Sequence, residues 1–132
     1  MNNNINWGII GLGNIAQEIA KSLNLTKNAK LFAIASNTKK KLDQFKNDYK
    51  VQSENCYSDY NSLLKNKNLD IVYIALPNSL HQKWILKCIE FNKNILVEKP
   101  AFINFEHAEK VFLNPSLKNV FFGEGFMFRY HP

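Results

Sequence analysis

A glycine-rich segment near the start of the chain has the residue types and spacing of a phosphate-binding turn. Gly11-x-Gly13-x-x-Ala16 follows the short apolar segment Ile5–Ile10, and Asn14 and Ile15 open the helical pattern that comes next. Gly11 permits a tight turn, Gly13 leaves room for a pyrophosphate, and Ala16 lets the helix lie close to a sheet. The helix N-terminus adds free N–H groups. The motif predicts a dinucleotide site, and the alternative is a glycine turn in an unrelated α/β domain.

A second group, Glu98-Lys99-Pro100, follows the apolar segment Asn94–Val97. A strand that ends there delivers a carboxylate and an ammonium to one edge of a sheet, and Pro100 restricts the backbone after them. A lysine in that position can hydrogen-bond a substrate hydroxyl or pass it a proton. The alternative is a surface ion pair at a turn.

A third group, Pro77-Asn78-Ser79-Leu80-His81, follows the buried pattern Leu69–Leu76. Histidine changes its charge near neutral pH and therefore suits proton transfer. A lone histidine at the start of a helix is more often a surface or capping residue. Its position after a strand is what makes His81 a candidate for function.

The fourth group, Ser36-Asn37-Thr38-Lys39, bears on the choice of cofactor. NAD-binding domains usually place an acidic residue there to hold the ribose 2′-hydroxyl. A carboxylate would repel a 2′-phosphate, whereas Ser36 with lysines nearby tolerates or attracts one. The segment therefore favours NADP, with NAD as the alternative. A polar turn in which Thr38 caps the next helix is the other interpretation.

Strand and helix patterns alternate along the whole chain. Further strands are predicted at Leu31–Ala35 and at Val120–Phe122, together with a short strand that ends at Tyr57. Helices are predicted over 15–25, 39–49 and 81–91. A further helix, capped by Asn104, should run to about Leu113, and a small helix should be capped by Ser58 or Asp59. Such alternation predicts an α/β fold, a doubly wound parallel sheet with right-handed crossovers. Ligands bind such sheets outside the carboxyl ends of the strands, so the four groups should converge on one crevice.

Composition narrows the class of protein. The 132 residues fit one domain, and the net charge of +6 comes from scattered lysines and the single Arg129. Scattered lysines indicate a solubilising surface and do not favour a nucleic-acid binder. Cys56 and Cys88 show no metal-ligand spacing, which predicts no metal site and a reducing compartment. Without a signal-peptide pattern or a long apolar run, a cytoplasmic protein with no membrane association is expected.

Together these segments resemble the glucose–fructose oxidoreductase/inositol dehydrogenase family of NAD(P)-dependent oxidoreductases. The resemblance rests on residues 8–16, 73–81, 97–100 and the ending Glu124–Pro132. It implies that Lys99 reaches the substrate as the catalytic residue. The residues expected at the cofactor are Gly11, Gly13, Asn14, Ile15, Ser36, Asn37, Lys39, Leu76, Pro77, Asn78, His81, Glu98 and Arg129. Two positions depart from the pattern: Asn37, where many NADP-using relatives have arginine, and Gly125, where alanine is common.

The resemblance also implies a domain organisation. Residues 1–124 are expected to form the dinucleotide-binding domain, and residues 125–132 the start of a connection to the family's second α/β domain. The implied reaction is hydride transfer between a nicotinamide and a sugar, polyol or related hydroxyl compound. This chain alone is expected to be inactive, with a homo-oligomer or a separately encoded second domain as partner. The alternative is a non-catalytic dinucleotide-binding fragment from a truncated or split gene.

Overall fold

The computed structural model describes residues 4–130 and contains one six-stranded sheet flanked by helices. All strand pairs are parallel, and the strands lie in the order β3-β2-β1-β4-β5-β6. The strands are β1 (Ile5–Ile10), β2 (Ala29–Ala35), β3 (Cys56–Tyr57), β4 (Ile71–Ile74), β5 (Asn94–Val97) and β6 (Phe122–Glu124). The helices are α1 (Asn14–Leu25), α2 (Lys39–Tyr49), α3 (Tyr60–Leu64), α4 (His81–Glu90) and α5 (Phe105–Phe112). The predicted doubly wound parallel sheet is confirmed.

Two buried clusters lie on opposite faces of the sheet, because successive strand residues point to opposite sides. Ile9 on β1 packs with residues of α1 and α2, whereas its neighbour Ile10 packs with residues of α3, α4 and α5. The central strands are therefore covered on both faces. This double cover explains why their sequences read as continuous apolar runs without a polar alternation.

Two helix starts follow the predicted capping chemistry. Asp59 accepts a hydrogen bond from the Ser62 backbone N–H, and Asn104 accepts one from His107, both at 2.9 Å. Each side chain satisfies a backbone donor that has no partner inside the helix. The first of these helices brings Tyr60 to the carboxyl end of β3.

The prediction of the sixth strand at Val120–Phe122 is wrong by two residues, since β6 is Phe122–Glu124. A 3₁₀ turn, Pro115–Asn119, precedes it, and the Val120 N–H donates back into that turn, to Leu117 O at 3.2 Å. Val120 is thus committed to the turn, and sheet pairing starts with Ile95 opposite Phe122. The shift places Glu124 beside the end of β5, where its side chain reaches the segment after Lys99.

Candidate active site

The carboxyl ends of β1, β2 and β4 surround one open cavity of about 360 Å³. Its lining residues come from the loops that follow these strands and from the starts of α2 and α3: Gly11, Leu12, Gly13, Ser36, Asn37, Thr38, Lys41, Tyr60, Ala75, Leu76 and Pro77. The chain order of the strands reverses at β1, which has β2 on one side and β4 on the other, and the cavity lies at this point. Ligands of doubly wound sheets bind at this point.

The two glycines of the turn have different surroundings. Gly11 has φ +88°, and a Cβ there would lie 2.6 Å from the Ala75 carbonyl oxygen. A Cβ on Gly13 would meet no atom within 4 Å. Gly11 is thus required by the fold, whereas Gly13 keeps open the space in front of the helix. Ala16 is fully buried, as expected of a helix pressed onto the sheet.

The N-terminus of α1 is available to an anion. Gly13 is the N-cap residue and provides no side-chain hydrogen bond, and the first turn of the helix contains no acidic residue. The backbone N–H groups of this turn and the positive end of the helix dipole therefore face the open space at Gly13. A pyrophosphate group fits this arrangement.

The end of β2 presents polar and basic groups to the same cavity. Ser36 is buried, and its Oγ accepts the Thr38 N–H at 3.1 Å, which leaves the hydroxyl proton free to donate. Thr38 is at the N-cap position of α2, as in the alternative interpretation of this segment, but its hydroxyl makes no capping bond. Lys41 lines the cavity, and no carboxylate is among its lining residues.

Lys41 and Tyr60 were not predicted as site residues. Three consecutive lysines open α2, and successive residues of a helix point about 100° apart, so only one of them faces the cavity. The sequence shows the three lysines but not which one faces inward. Tyr60 follows the short strand β3, which lies beside β2 at the same edge of the sheet.

The Glu98-Lys99-Pro100 turn lies at the end of β5, next to the end of β4. The Tyr73 hydroxyl, fully buried on β4, donates a hydrogen bond to Glu98 Oε1. Burial, together with this carboxylate, raises the pKa of Tyr73. Among the described residues, Glu98 and Lys99 do not form an ion pair. The carboxylate is directed at Tyr73 instead.

Lys99 is exposed and lines a second cavity of about 380 Å³ with Gly125, Phe126, Met127 and Phe128. The backbone around it is held firmly. The Ala101 N–H, two residues further on, donates to Glu124 Oε2 at 2.7 Å. The lysine ammonium is therefore carried by a fixed turn and projects into open space.

The other predicted residues are not among the lining residues of these two cavities. Asn14 and Ile15 start α1, and Ile15 and Glu98 line a third cavity of about 220 Å³ beneath it. Asn78 is exposed, in the 3₁₀ turn before α4. Lys39 is the first residue of α2 and does not line the first cavity. Arg129 is exposed in the 3₁₀ turn Met127–Tyr130.

His81 differs from the others because it is fully buried. Its Nε2 lies 2.8 Å from the Leu76 carbonyl oxygen, and its Nδ1 lies 2.9 Å from the Pro100 carbonyl oxygen. The ring thus lies between the loop that follows β4 and the turn that carries Lys99.

Comparison with known proteins agrees with this geometry. The family model described as "Oxidoreductase family, NAD-binding Rossmann fold" matches residues 5–126. The chain belongs to this family, the glucose–fructose oxidoreductase/inositol dehydrogenase oxidoreductases. It corresponds to the family's NAD-binding Rossmann domain, as the motifs predicted.

Two curated relatives illustrate the similarity. Oxidoreductase P35 of Formosa agariphila is 35% identical over 82% of this chain and 33% of its own length. A dTDP-3,4-didehydro-2,6-dideoxy-α-D-glucose 3-reductase of Actinomadura kijaniata is 30% identical over 98% of this chain and 39% of its own length. The chain thus spans between 33% and 39% of the length of these two relatives.

Solved structures of family members superimpose closely. A 3-ketoreductase from Actinomadura kijaniata in complex with NADP has a TM-score of 0.88 at 29% identity, covering 98% of this chain and 41% of that one. Apo scyllo-inositol dehydrogenase from Lactobacillus casei has a TM-score of 0.90 at 26% identity, covering 99% and 39%. Within residues 4–130, no helix has both the length and the apolar character needed to cross a membrane.

Proposed function

We propose that this chain binds NADP(H) as the cofactor domain of an oxidoreductase that acts on a sugar, a polyol or a related hydroxyl compound. In this proposal residues 1–124 belong to the cofactor domain and residues 125–132 to the connection with the second domain of the family; residues 1–3 and 131–132 lie outside the described part of the chain. The observation that carries the proposal is the cavity at Gly13, Ser36 and Lys41, which combines an open helix N-terminus with basic and hydroxyl groups and contains no carboxylate.

The pyrophosphate would be held at the glycine turn. The space above Gly13 admits it, and the N–H groups at Asn14 and Ile15 donate to its oxygens. Leu76 and Pro77 form the opposite wall of the cavity, supplied by the loop after β4. These contacts are the same for NAD and NADP, so they set affinity without setting the choice between the two.

The choice would be made at the end of β2. The Ser36 hydroxyl donates to a 2′-phosphate, and Lys41 supplies the positive charge that many NADP-using relatives obtain from an arginine at the position of Asn37. Lys39 and the free N-terminus of α2 add to the positive potential. The 3-ketoreductase that superimposes on this chain is in complex with NADP, which supports the same choice.

At the nicotinamide end, the bound cofactor would supply hydride transfer, and the protein would orient the reactants. Asn78, Glu98 and Arg129 are placed by this proposal around that end of the cofactor. Lys99 would hydrogen-bond the reacting hydroxyl of the substrate and assist its proton movement, since its ammonium projects freely from a fixed turn. Relatives named as dihydrodiol, inositol and xylose dehydrogenases support a polyol or sugar as substrate class.

We also propose a cytoplasmic location and a partner domain. Cys56 and Cys88 are free thiols, which suits a reducing compartment. The second domain would be supplied by further polypeptide, either in the same chain or separately encoded, or the Rossmann domains would associate with one another. Substrate selection would then depend on residues outside these 132.

Fluorescence titration with NADPH and NADH tests the cofactor proposal. We expect tighter binding of NADPH, because two positive or donating groups face the 2′-phosphate. Lys41→Ala should weaken NADPH binding about tenfold, the loss of roughly 1.4 kcal/mol from one charge contact, and leave NADH unchanged. Lys40→Ala is the matched control, since Lys40 does not line the cavity. Ser36→Asp should reverse the preference.

Equal affinity for the two cofactors, or tighter binding of NADH, would contradict the NADP assignment. Equal losses in Lys40→Ala and Lys41→Ala would show that only the general positive potential of α2 matters. Failure to bind either cofactor would contradict the proposed function itself.

A further inference from the structure

His81 connects the two segments of chain that flank the candidate active site. It is the first residue of α4, and its exposed fraction is 0%. A side chain so completely enclosed has no surface to offer to a cofactor or a substrate. Its two ring nitrogens instead face the backbone oxygens of Leu76 and Pro100, at 2.8 and 2.9 Å.

The two carbonyl groups belong to different strand ends. Leu76 lies in the loop after β4 and lines the cavity at the glycine turn, whereas Pro100 directly follows Lys99 after β5. Carbonyl oxygens only accept hydrogen bonds, and an imidazole ring donates one hydrogen bond in its neutral form and two in its protonated form. The ring therefore donates to at least one of the two oxygens and lies in close contact with both. The rigid ring therefore sets the spacing between the wall of one cavity and the lysine of the other.

Other contacts hold the remaining sides of the same turn. Glu98 is held by the Tyr73 hydroxyl, and the Ala101 N–H by Glu124 Oε2 at 2.7 Å. His81 holds the Pro100 carbonyl between these two contacts. Without the imidazole, this stretch of backbone would be fixed at its ends and free in the middle, directly beside Lys99.

We propose that His81 is a positioning residue that fixes the Lys99–Pro100 turn relative to the Leu76–Pro77 loop and does not contact the cofactor. The inference rests on the proposed function for its consequences at NADP(H), while the positioning itself is a property of the free chain. The resemblance places His81 at the cofactor, and this proposal gives it an indirect role there through Leu76 and Lys99.

The test compares His81→Phe, which keeps a flat ring but has no N–H donor, with His81→Gln, which keeps one amide donor. His107→Gln is the matched control: His107 lies in the first turn of α5, and its buried Nδ1 has no hydrogen-bond partner among the described residues. Amide hydrogen exchange by NMR is measured on the free chains. NADPH affinity is measured by fluorescence titration.

For His81→Phe we expect the amide of Ala101, which is hydrogen-bonded to Glu124, to exchange at least about tenfold faster, while those of β1 keep their wild-type rates. NADPH binding should weaken about five- to tenfold, the size expected for the loss of one hydrogen bond. His81→Gln should lie between wild type and His81→Phe, and His107→Gln should match wild type.

A purely structural role would accelerate exchange throughout the sheet and leave the NADPH affinity of the folded protein unchanged, and that result would overturn the proposal. Wild-type exchange at Ala101 in either His81 variant would overturn it as well. If His81→Phe does not fold, His81→Gln decides by the same two measurements. If neither variant folds, the wild-type chain decides: a ring N–H proton of His81 that exchanges freely with solvent would refute the enclosed contact with a carbonyl oxygen.

Failure of the wild-type chain to bind NADPH would instead contradict the proposed function. The exchange rate at Ala101 would still test the positioning role in that case, so the two failures are distinguishable.

Discussion

The same substitution, glycine to alanine, should have opposite effects at the two glycines of the turn. At Gly11 the added methyl group would lie 2.6 Å from the Ala75 carbonyl oxygen and 2.9 Å from Leu76 Cδ2, at φ +88°. The contact with the Ala75 backbone cannot be relieved by a change of rotamer, and the left-handed conformation is itself unfavourable for alanine. At Gly13 the methyl group would meet nothing within 4 Å, and φ −94° with ψ −168° suits alanine.

The magnitudes follow from these two environments. A left-handed alanine costs about 1–2 kcal/mol, and an overpacked contact adds about 1–3 kcal/mol, so Gly11→Ala should lose roughly 2–5 kcal/mol of unfolding free energy. That is a large share of the roughly 5–15 kcal/mol available to a domain. Gly13→Ala should stay within about 1 kcal/mol of wild type. Its methyl group, however, occupies the space proposed for the pyrophosphate, so NADPH binding should fall by at least about tenfold.

Guanidinium unfolding followed by circular dichroism measures the first effect, and NADPH fluorescence titration of the folded proteins measures the second. The expected pattern is a destabilised Gly11→Ala and a stable Gly13→Ala that no longer binds NADPH well. Wild-type affinity in Gly13→Ala would refute the pyrophosphate assignment. Wild-type stability in Gly11→Ala would refute the reasoning from φ and the Ala75 contact.

Three further outcomes are expected. In a chimaera that supplies the second domain of the Actinomadura reductase, Lys99→Ala should lower kcat by about 10²–10⁴-fold with little change in NADPH affinity, measured by steady-state kinetics. Burial lowers the pKa of the Lys93 ammonium group in the folded chain below its ordinary value of 10.5. Between the two pKa values the unfolded chain binds more protons than the folded one, so the free energy of unfolding should rise as the pH increases towards 10.5. Guanidinium unfolding measured at several pH values should show this increase of the unfolding free energy with pH in wild type and not in Lys93→Met. Met127 and Phe128 are 66% and 75% exposed, so the chain should self-associate, and Phe128→Ser should reduce the association seen by analytical ultracentrifugation.

Most of the fold could be predicted because its signals are local. The apolar run at β2, the glycine turn and the cap at Asn104 each specify their own element without help from distant residues. The sixth strand could not be located this way. Its start depends on a hydrogen bond within the preceding turn and on pairing with Ile95, which lies far away in sequence.

The candidate site shows the same limit. Sequence patterns predicted Gly11, Gly13 and Ser36, which the structure places around one cavity, because strand ends and turn residues are visible in the order of the chain. They did not distinguish Lys41 from its two lysine neighbours, since the direction of a side chain at a helix start depends on the exact first residue of that helix. Nor did they show that His81 is enclosed, because its partners, Leu76 and Pro100, meet only when β4 and β5 pair.

Strand order explains why these separate segments can serve one extended ligand. In space the strands run β2, β1, β4 and β5, so Ser36, the glycine turn, Leu76 and Lys99 lie in that sequence along one edge. Neighbouring strands are about 4.8 Å apart, and three such steps span about 14 Å. A ligand that contacts both Ser36 and Lys99 must therefore be elongated, with its phosphates near the middle at Gly13. A dinucleotide meets that requirement, and a single phosphate group does not. The geometry of the sheet thus favours an elongated ligand, whereas the choice between NAD and NADP depends on individual side chains.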